Sequence, residues 1–332
     1  MSVINKENYK ERPILYLVVP CYNEEEVIDK SALILLQKEN GLIGENVISP
    51  RSKILFVNDG SKDSTAEKLY VLAENNDQFA LINFTTNYGH QAAIFAGMMA
   101  AKDHADIAVT IDADLQQDIE ALDKFIACYK NGCDVVYGVR NDRNTDSFAK
   151  KFTATAYYGL MHTLGCNILA NSADYRLLSK KALQTLSKYK ESNLFLRGLI
   201  PTMGFSSDIV YFDVKEREAG SSKYTLKKMI NLAIDGITSF STVPLHMIFV
   251  IGCIAVFLSF ILMVITIVEY VQGKNVPGYS TLLIVLLLMT GLIMLSLGIV
   301  GEYIGKIYVE AKGRPRYTID SVIIRNTGDE ND

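Results

Sequence analysis

IAVTIDADLQ, residues 107–116, is an apolar run that stops at two carboxylates. Its first part, Ile107–Ile111, has the length and composition of a buried strand. Asp112 and Asp114 stand two residues apart, and on extended backbone such side chains point the same way. Carboxylate oxygens suit Mg²⁺ or Mn²⁺, and both ions also bind substrate phosphates. The stretch therefore predicts a strand that ends in a metal-binding pair of aspartates.

Similar apolar runs alternate with helix-like stretches along residues 1–220, which predicts an α/β domain with a mostly parallel sheet covered on both faces. The other strand-like runs are Ile14–Val19, Ile54–Val57, Ala80–Phe84 and Val135–Val139. The helix-like stretches are Glu24–Gln37, Ser64–Glu74, His90–Lys102 and Asp118–Tyr129. Ligands of such sheets bind at the carboxyl ends of the strands, so the residues after each strand are the candidates for function.

Two more strand ends are polar. PCYNE (residues 20–24) follows the first strand, and NDGS (residues 58–61) follows the second. The chain has no G-x-G-x-x-G after its first strand and no Walker A sequence, which disfavours dinucleotide and P-loop phosphate binding. The predicted site therefore combines an aromatic ring with several carboxylates.

The C-terminal third has the composition of a membrane protein. No residue is charged from Gly236 to Val268, or from Val276 to Val300, and each run is long enough to cross a bilayer. We expect spans at about 243–268 and 279–301, joined by a short turn. Before them, the apolar and polar residues of 223–237 alternate at helical spacing, which predicts an amphipathic interfacial helix. The predicted divisions are the α/β domain (1–220), the interfacial helix (221–241), the transmembrane hairpin (242–305) and a C-terminal tail (306–332).

Charge and cysteine use predict the compartment. Basic residues flank both spans, whereas the turn carries only Lys274, so the positive-inside rule places the α/β domain and both termini in the cytoplasm of a multi-pass protein of the cell membrane. The five cysteines form no C-x-x-C pair, which favours a reducing compartment. The polar N-terminus lacks the apolar segment of a signal peptide, which agrees with the cytoplasmic placement. The net charge, 33 − 37 = −4, argues against a nucleic-acid partner.

Four motifs taken in order resemble glycosyltransferase family 2, whose members have the GT-A fold. They are P-x-Y-N-E (20–24), D-G-S-x-D-x-T (59–65), N-x-G-x-x-x-A (87–93) and D-A-D-x-Q (112–116). The branch that the chain resembles contains dolichyl-phosphate mannose synthase and the undecaprenyl-phosphate glycosyltransferases, and two C-terminal spans are typical of its bacterial members. ADYRL (173–177) and FLRG (195–198) resemble two further segments of that branch.

The resemblance implies roles for individual residues. The nucleotide-sugar would be bound by Pro20, Tyr22, Glu24, Asp59, Asp112 and Arg197. Asp112 and Asp114 would hold the metal, and Gln116 would lie beside the donor sugar. Asn58 departs from the family pattern, in which many members have a second aspartate. His90 is expected to cap or pack at a helix start and is assigned no catalysis.

The acceptor that the resemblance implies is a polyprenyl phosphate. Its phosphate carries about −1.5 to −2 charge near pH 7 and is already a nucleophile, so a strong general base is less necessary. Asp174 could still take the last proton or orient the attack; the alternative is a structural carboxylate paired with Arg176. Because donor and acceptor are both anionic, basic residues must screen their approach. The candidates for binding the lipid phosphate are Arg140, Arg143, Lys150, Lys151, Arg217 and Lys223.

The implied reaction is an inverting transfer of a sugar from a UDP-sugar to undecaprenyl phosphate, with glucose or N-acetylglucosamine favoured. A GDP-mannose-dependent synthase and an inactive membrane scaffold stay open as alternatives. Processive polysaccharide synthases and ceramide glucosyltransferases use a Q/R-x-x-R-W motif, and this chain has no tryptophan. Two spans with almost no ionisable side chains offer no pathway for a sugar headgroup, so we expect any flippase to be a separate partner. A homo-oligomer is a further expectation from the family.

Overall fold

The computed structural model describes residues 12–141, 172–191, 195–213, 243–272 and 278–325. These residues form two compact units. One contains the described residues up to 213 together with 315–325, and the other contains those between 243 and 314.

An eight-stranded mixed sheet organises the first unit. Its strands are β1 (Leu15–Cys21), β2 (Lys53–Asn58), β3 (Phe79–Phe84), β4 (Ile107–Thr110), β5 (Val135–Arg140), β6 (Ser172–Ser179), β7 (Ser207–Phe212) and β8 (Ile319–Ile323). They lie in the order β7-β5-β6-β4-β1-β2-β3-β8. The pairs β1–β2, β1–β4, β2–β3 and β5–β7 are parallel, whereas β6 is antiparallel to β4 and β5, and β8 is antiparallel to β3. The predicted mostly parallel sheet is confirmed.

Six helices accompany the strands in the described part of this unit. They are α1 (Ile28–Gly44), α2 (Thr65–Asn75), α3 (His90–His104), α4 (Ala121–Lys130), α5 (Lys180–Leu186) and α6 (Leu196–Thr202). Helix α3 packs unusually close to the sheet, because a Cβ on Gly97 would stand 2.2 Å from Cγ1 of Val18. The central strands β1, β2 and β4 are wholly buried, which explains why they read as continuous apolar runs in the sequence.

Five strands and four helices of this unit were predicted at nearly the observed positions. Strands β6, β7 and β8 and helices α5 and α6 were not predicted. Strand β8 is the most unexpected, because it follows the apolar C-terminal helices in sequence yet pairs with β3, with Leu81 opposite Ile323. The sheet therefore includes residues from both ends of the chain.

The second unit contains two long helices, α7 (Val243–Val271) and α8 (Tyr279–Ala311). Large apolar side chains are exposed along both helices. Among the described residues, Leu288–Ala311 is long and apolar enough to cross a membrane, and Val243–Ala255 is a shorter apolar stretch. Both helices begin where the spans were predicted and continue beyond the predicted ends. The predicted interfacial helix lies outside the described residues.

Candidate active site

Asp59 joins three segments at the carboxyl edge of the sheet. Its backbone N–H donates to the carbonyl of Cys21 at the end of β1 (2.9 Å). Its carboxylate accepts from the side-chain amide of Asn87 (2.9 Å) and from the backbone N–H groups of Tyr88 (2.7 Å) and Gly89 (2.9 Å). Burial raises the pKa of Asp59, and these two backbone donors partly offset that effect. The aspartate of the D-G-S motif thus fixes the start of α3 against the ends of β1 and β2.

The turn after β1 is held by the loop after β2. Asn23 has a left-handed backbone (φ 55°), and its N–H donates to Oγ of Ser61 (3.0 Å). The N–H of Glu24 donates to Oγ1 of Thr65 (2.9 Å). Tyr22, between these contacts and the strand, exposes 41% of its surface, as a ring that stacks on a ligand would. The predicted residues Tyr22 and Glu24 therefore lie on a turn whose conformation is set by hydrogen bonds to Ser61 and Thr65.

The D-A-D segment after β4 is also tightly positioned. The side chain of Gln117 donates to Oδ2 of Asp112 (2.6 Å) and accepts from the backbone N–H of Asp112 (2.8 Å). Leu115 has a left-handed backbone (φ 48°), which is uncommon for a leucine. From α1, the hydroxyl of Ser31 donates to the carbonyl of Ala113 (2.6 Å). Gln117, which the sequence analysis did not single out, therefore positions Asp112, while the predicted place of Gln116 beside the donor sugar stays a prediction.

Asp174 lies near the start of β6, which runs antiparallel to β4, so it reaches the same edge of the sheet. Its Oδ1 accepts from Arg176 (2.6 Å) and from Nε of Arg197 (3.1 Å). Its Oδ2 accepts from Nη2 of Arg197 (2.9 Å) and from the amide of Gln91 (3.1 Å). The side chains of Asp174 and Arg176 are only 8% and 2% exposed.

These contacts decide the protonation state of Asp174. Burial would raise its pKa, but His90 and the two guanidinium groups outweigh burial and hold the pKa of Asp174 well below its ordinary value. A carboxylate with so low a pKa is a weak base. The pairing with Arg176 that the structural alternative requires is present, and a role of Asp174 as a base stays a prediction.

His90, for which the sequence predicted no catalytic role, lies between two of the site carboxylates. Its Nε2 stands 3.7 Å from Oδ1 of Asp112 and 3.6 Å from Oδ2 of Asp174. Burial lowers the pKa of His90, yet the nearby carboxylates of Asp174 and Asp112 raise that pKa above its ordinary value. The signal that could have identified His90 is its place: it opens α3 directly after Asn87 and Gly89, which Asp59 fixes at the strand ends.

The D-A-D segment has the donor chemistry of a magnesium or manganese site. Asp112 and Asp114 are close enough for the charge of Asp114 to raise the pKa of Asp112, after the larger effect of burial. No group of three or more His, Cys, Asp or Glu residues that could enclose a metal is found in the described ranges. Mg²⁺ is commonly bound by one or two carboxylates together with substrate phosphates, so a pair of aspartates fits.

The structure brings most of the predicted site residues to one edge of the sheet. Those at the ends of β1, β2 and β4, at the start of β6 or on α6 are Pro20, Tyr22, Glu24, Asp59, Asp112, Asp114, Gln116, Asp174 and Arg197. Arg140 is exposed at the end of β5, which is separated from β4 by β6. The other predicted lipid-phosphate residues, Arg143, Lys150, Lys151, Arg217 and Lys223, lie outside the described residues.

Comparison with known proteins identifies the family. Residues 16–187 match the family described as "Glycosyl transferase family 2". The chain belongs to this family. Membership and the observed sheet confirm the predicted GT-A fold class and make the protein a glycosyltransferase. Residues 243–307 match a second family, "GtrB C-terminal hairpin", which agrees with the two apolar helices.

Similar proteins extend along nearly the whole chain. A Bacillus subtilis protein named "Uncharacterized glycosyltransferase YkoT" is 43% identical over 94% of this chain and 92% of its own length. The "Bactoprenol glucosyl transferase" of Shigella phage SfX is 37% identical over 92% of this chain and 98% of its own length. A solved mannosyltransferase from Pyrobaculum calidifontis, in complex with GDP-Man and Mn²⁺, covers 69% of this chain and 64% of its own, at 17% identity and a TM-score of 0.46.

Proposed function

We propose that this glycosyltransferase transfers glucose from UDP-glucose to undecaprenyl phosphate, with inversion at the anomeric carbon. The observation that carries the proposal is the identity of 37% to a bactoprenol glucosyl transferase over 92% of this chain, hairpin included. The acidic strand ends support it, because a metal-assisted transfer from a nucleoside diphosphate sugar needs carboxylates there. The products would be a β-linked polyprenyl-phosphate glucose and UDP.

The donor would bind along the ends of β1, β2 and β4. Tyr22, Glu24 and Pro20 would bind the base and ribose. Asp112 and Asp114 would hold Mg²⁺ or Mn²⁺, which when bound neutralises the diphosphate leaving group. Gln117 supports this role by fixing Asp112, since its amide contacts both the backbone and one carboxylate oxygen.

We assign Asp174 as a positioning residue. It holds the guanidinium of Arg197 by two hydrogen bonds, and the side chain of Arg197 is still 36% exposed. A guanidinium held in this way has a fixed orientation, and its positive charge would attract a phosphate. The acceptor phosphate is itself the nucleophile, so the transfer needs charge screening more than proton removal.

The rest of the chain would keep the reaction at a membrane. We propose that the hairpin of α7 and α8 anchors the catalytic domain on the cytoplasmic side, with the boundaries predicted from the sequence. The six predicted basic residues would then bind the lipid phosphate near the headgroup layer, where anionic lipid attracts Lys and Arg. A flippase partner and a homo-oligomer stay predictions.

The test is transfer of label into lipid. The full chain, purified in detergent, is incubated with undecaprenyl phosphate, Mg²⁺ or Mn²⁺, and labelled UDP-glucose, UDP-N-acetylglucosamine or GDP-mannose. Asp114→Asn is assayed beside Asp103→Asn, a matched control whose side chain is 69% exposed near the end of α3. We expect label from UDP-glucose to enter lipid, to fall at least 100-fold in Asp114→Asn, and to be unchanged in Asp103→Asn.

Each other outcome contradicts a defined part of the proposal. Transfer from GDP-mannose or UDP-N-acetylglucosamine alone would replace the donor and keep the reaction class. No transfer from any donor to intact lipid would favour the inactive scaffold. Full activity in Asp114→Asn would refute the metal site.

A further inference from the structure

We propose that β8, the strand that follows the apolar C-terminal helices, is a positioning element of the donor site. Four side chains connect it to the turn that carries Tyr22: Ser321, Asn83, Asn58 and Ser61. The proposal takes only the identity of the donor from the proposed function. The positioning itself can be tested without any ligand.

A continuous series of hydrogen bonds, here called the relay, runs from β8 through β3 and the end of β2 to the turn after β1. Asn83, on β3, donates through Nδ2 to Oγ of Ser321 (2.9 Å) and accepts at Oδ1 from Nδ2 of Asn58 (3.2 Å). Oδ1 of Asn58 in turn accepts from the hydroxyl of Ser61 (2.6 Å) and from its backbone N–H (3.2 Å). Oγ of Ser61 then accepts the N–H of Asn23 (3.0 Å). The hydroxyl of Ser321 thus lies at the far end of the chain of contacts that sets the Asn23 turn.

The relay explains why an asparagine suits position 58. It must donate to Asn83 and accept from Ser61 at the same time, and a side-chain amide has both groups. An ionised aspartate accepts only, so it would face Oδ1 of Asn83 without a proton to share. Asn58 is 3% exposed, and an unsatisfied polar atom there would be costly.

Ring contacts join the same segment to the Asp59 loop. Tyr317 stacks on Phe84 with ring centres 5.0 Å apart, and Phe84 contacts Tyr88 edge-on at 5.7 Å. The backbone N–H of Tyr88 is one of the donors to Asp59. The residues just before β8 therefore support the loop that binds Asp59, by ring packing and by the hydrogen bond from the backbone N–H of Thr85 to the carbonyl of Thr318 (3.1 Å).

Both ends of β8 are fixed to the catalytic unit. Before the strand, the guanidinium of Arg316 lies 4.4 Å from the ring centre of Phe95 and donates to the carbonyl of Tyr189. After the strand, Arg325 pairs with Glu74 (2.9 Å) and Asp77 (3.2 Å). Because the strand is secured on each side, removal of one hydroxyl at its centre should disturb the relay without detaching the strand.

The experiment combines Ser321→Ala with two controls in the full-length protein. Ser321→Thr keeps a hydroxyl that can accept from Asn83. Val322→Ala changes the next residue of the same strand, which is 50% exposed and takes no part in the relay. Amide hydrogen exchange without nucleotide reports on the turn at residues 21–26. Titration with UDP and Mn²⁺, together with kcat and KM for UDP-glucose, reports on the donor site.

In Ser321→Ala we expect amide exchange in residues 21–26 to be about fivefold faster, a factor that corresponds to the loss of one hydrogen bond of modest strength. We also expect the Kd for UDP and the KM for UDP-glucose to rise by a similar factor, with kcat within twofold. Ser321→Thr should restore wild-type values, and Val322→Ala should leave residues 21–26 unchanged.

Unchanged exchange in Ser321→Ala would overturn the proposal, as would equal acceleration in Val322→Ala. A wild-type protein that binds no UDP would refute the proposed donor, while the exchange measurement would still decide the positioning role.

Discussion

Replacing Asp174 by asparagine tests the most heavily buried charge cluster of the site. The change keeps the shape of the side chain and removes its charge. It leaves Arg176, which is 2% exposed, without an anion, and two of its nitrogens, Nε and Nη1, already have no hydrogen-bond partner among the described residues. Breaking one partner of a buried ion pair destabilises a protein by about 3–5 kcal/mol.

The structure places the expected value near the lower end of that range. Arg176 keeps its contact with the carbonyl of Ala173, and an asparagine oxygen at 174 can still accept one hydrogen bond. We therefore expect a loss of about 3 kcal/mol, or a fall in Tm of roughly 6–12 °C for a domain of this size. Removing the cation as well, in Asp174→Asn/Arg176→Met, should recover about 2 kcal/mol of that loss, because no unpaired charge then stays buried.

Thermal unfolding of the full chain in detergent measures these differences, followed by far-ultraviolet circular dichroism because the chain has no tryptophan. The pH dependence gives a second check. The pKa of Asp174 is lowered in the folded state, so its contribution is present above the unfolded pKa of about 3.9 and is lost as pH falls below it. The carboxylate therefore stays charged from pH 5 to pH 8, but the pKa of His90 is raised by Asp174, so the stabilising contact between them is lost as pH rises. The difference in Tm between wild type and Asp174→Asn should therefore be larger at pH 5 than at pH 8.

Two results would refute the reasoning. A Tm of Asp174→Asn within about 1 °C of wild type would mean that the pair is not buried as described. Additive losses in the double variant would mean that Asp174 and Arg176 do not interact. Asp103→Asn, which changes an exposed carboxylate in the same way, should stay within about 0.5 kcal/mol of wild type.

Three further changes have defined outcomes. Burial raises the pKa of Glu39 to about 8, so its stabilising effect is complete below pH 4.5 and is lost as pH rises through 8. Between melts at pH 6 and pH 9 this loss is on the order of 3 kcal/mol, and Glu39→Gln should abolish it. Gly97→Ala should lower stability by about 1–3 kcal/mol in the same melts because its Cβ would meet Val18, whereas Gly41→Ala, with open space, should not destabilise. Gln117→Leu should weaken Mn²⁺ binding, measured by electron paramagnetic resonance, at least tenfold; unchanged affinity would refute its positioning role.

Strands β1 to β5 could be predicted from the sequence, whereas β6, β7 and β8 could not. Strands β1, β2 and β4 are buried on both faces, so their apolar runs were visible without any structure. Strand β6 was missed because Asp174 and Arg176 interrupt its hydrophobic pattern, and they are tolerated there only as a pair. Strand β8 is five residues long and mostly exposed, and its pairing with a strand far away in the sequence leaves no local pattern.

Some features of the candidate site could also be predicted from the sequence, and others could not. The two carboxylates of the D-A-D segment could be predicted to share a site, because their spacing along one strand end decides it. The pairing of Asp174 with Arg176 could be predicted, because the two lie two residues apart on one strand. Gln91 and Arg197 could not be predicted as partners, since they meet Asp174 only through the packing of α3 and α6. The contacts of His90 could not be predicted for the same reason, since its neighbours Asp112 and Asp174 belong to other elements.

The distribution of charge explains how an acidic strand edge can accept anionic substrates. Asp174 is matched by two guanidinium groups, and the carboxylate of Asp59 accepts from three N–H groups, so the protein itself offsets both charges. A divalent cation between Asp112 and Asp114 would offset the other two. With the cation bound, Arg197 would add positive charge where the acceptor phosphate must approach. The same four aspartates would repel a diphosphate if Arg176 and Arg197 were absent, so we expect the buried Arg176 to be as necessary to the site as the carboxylates themselves.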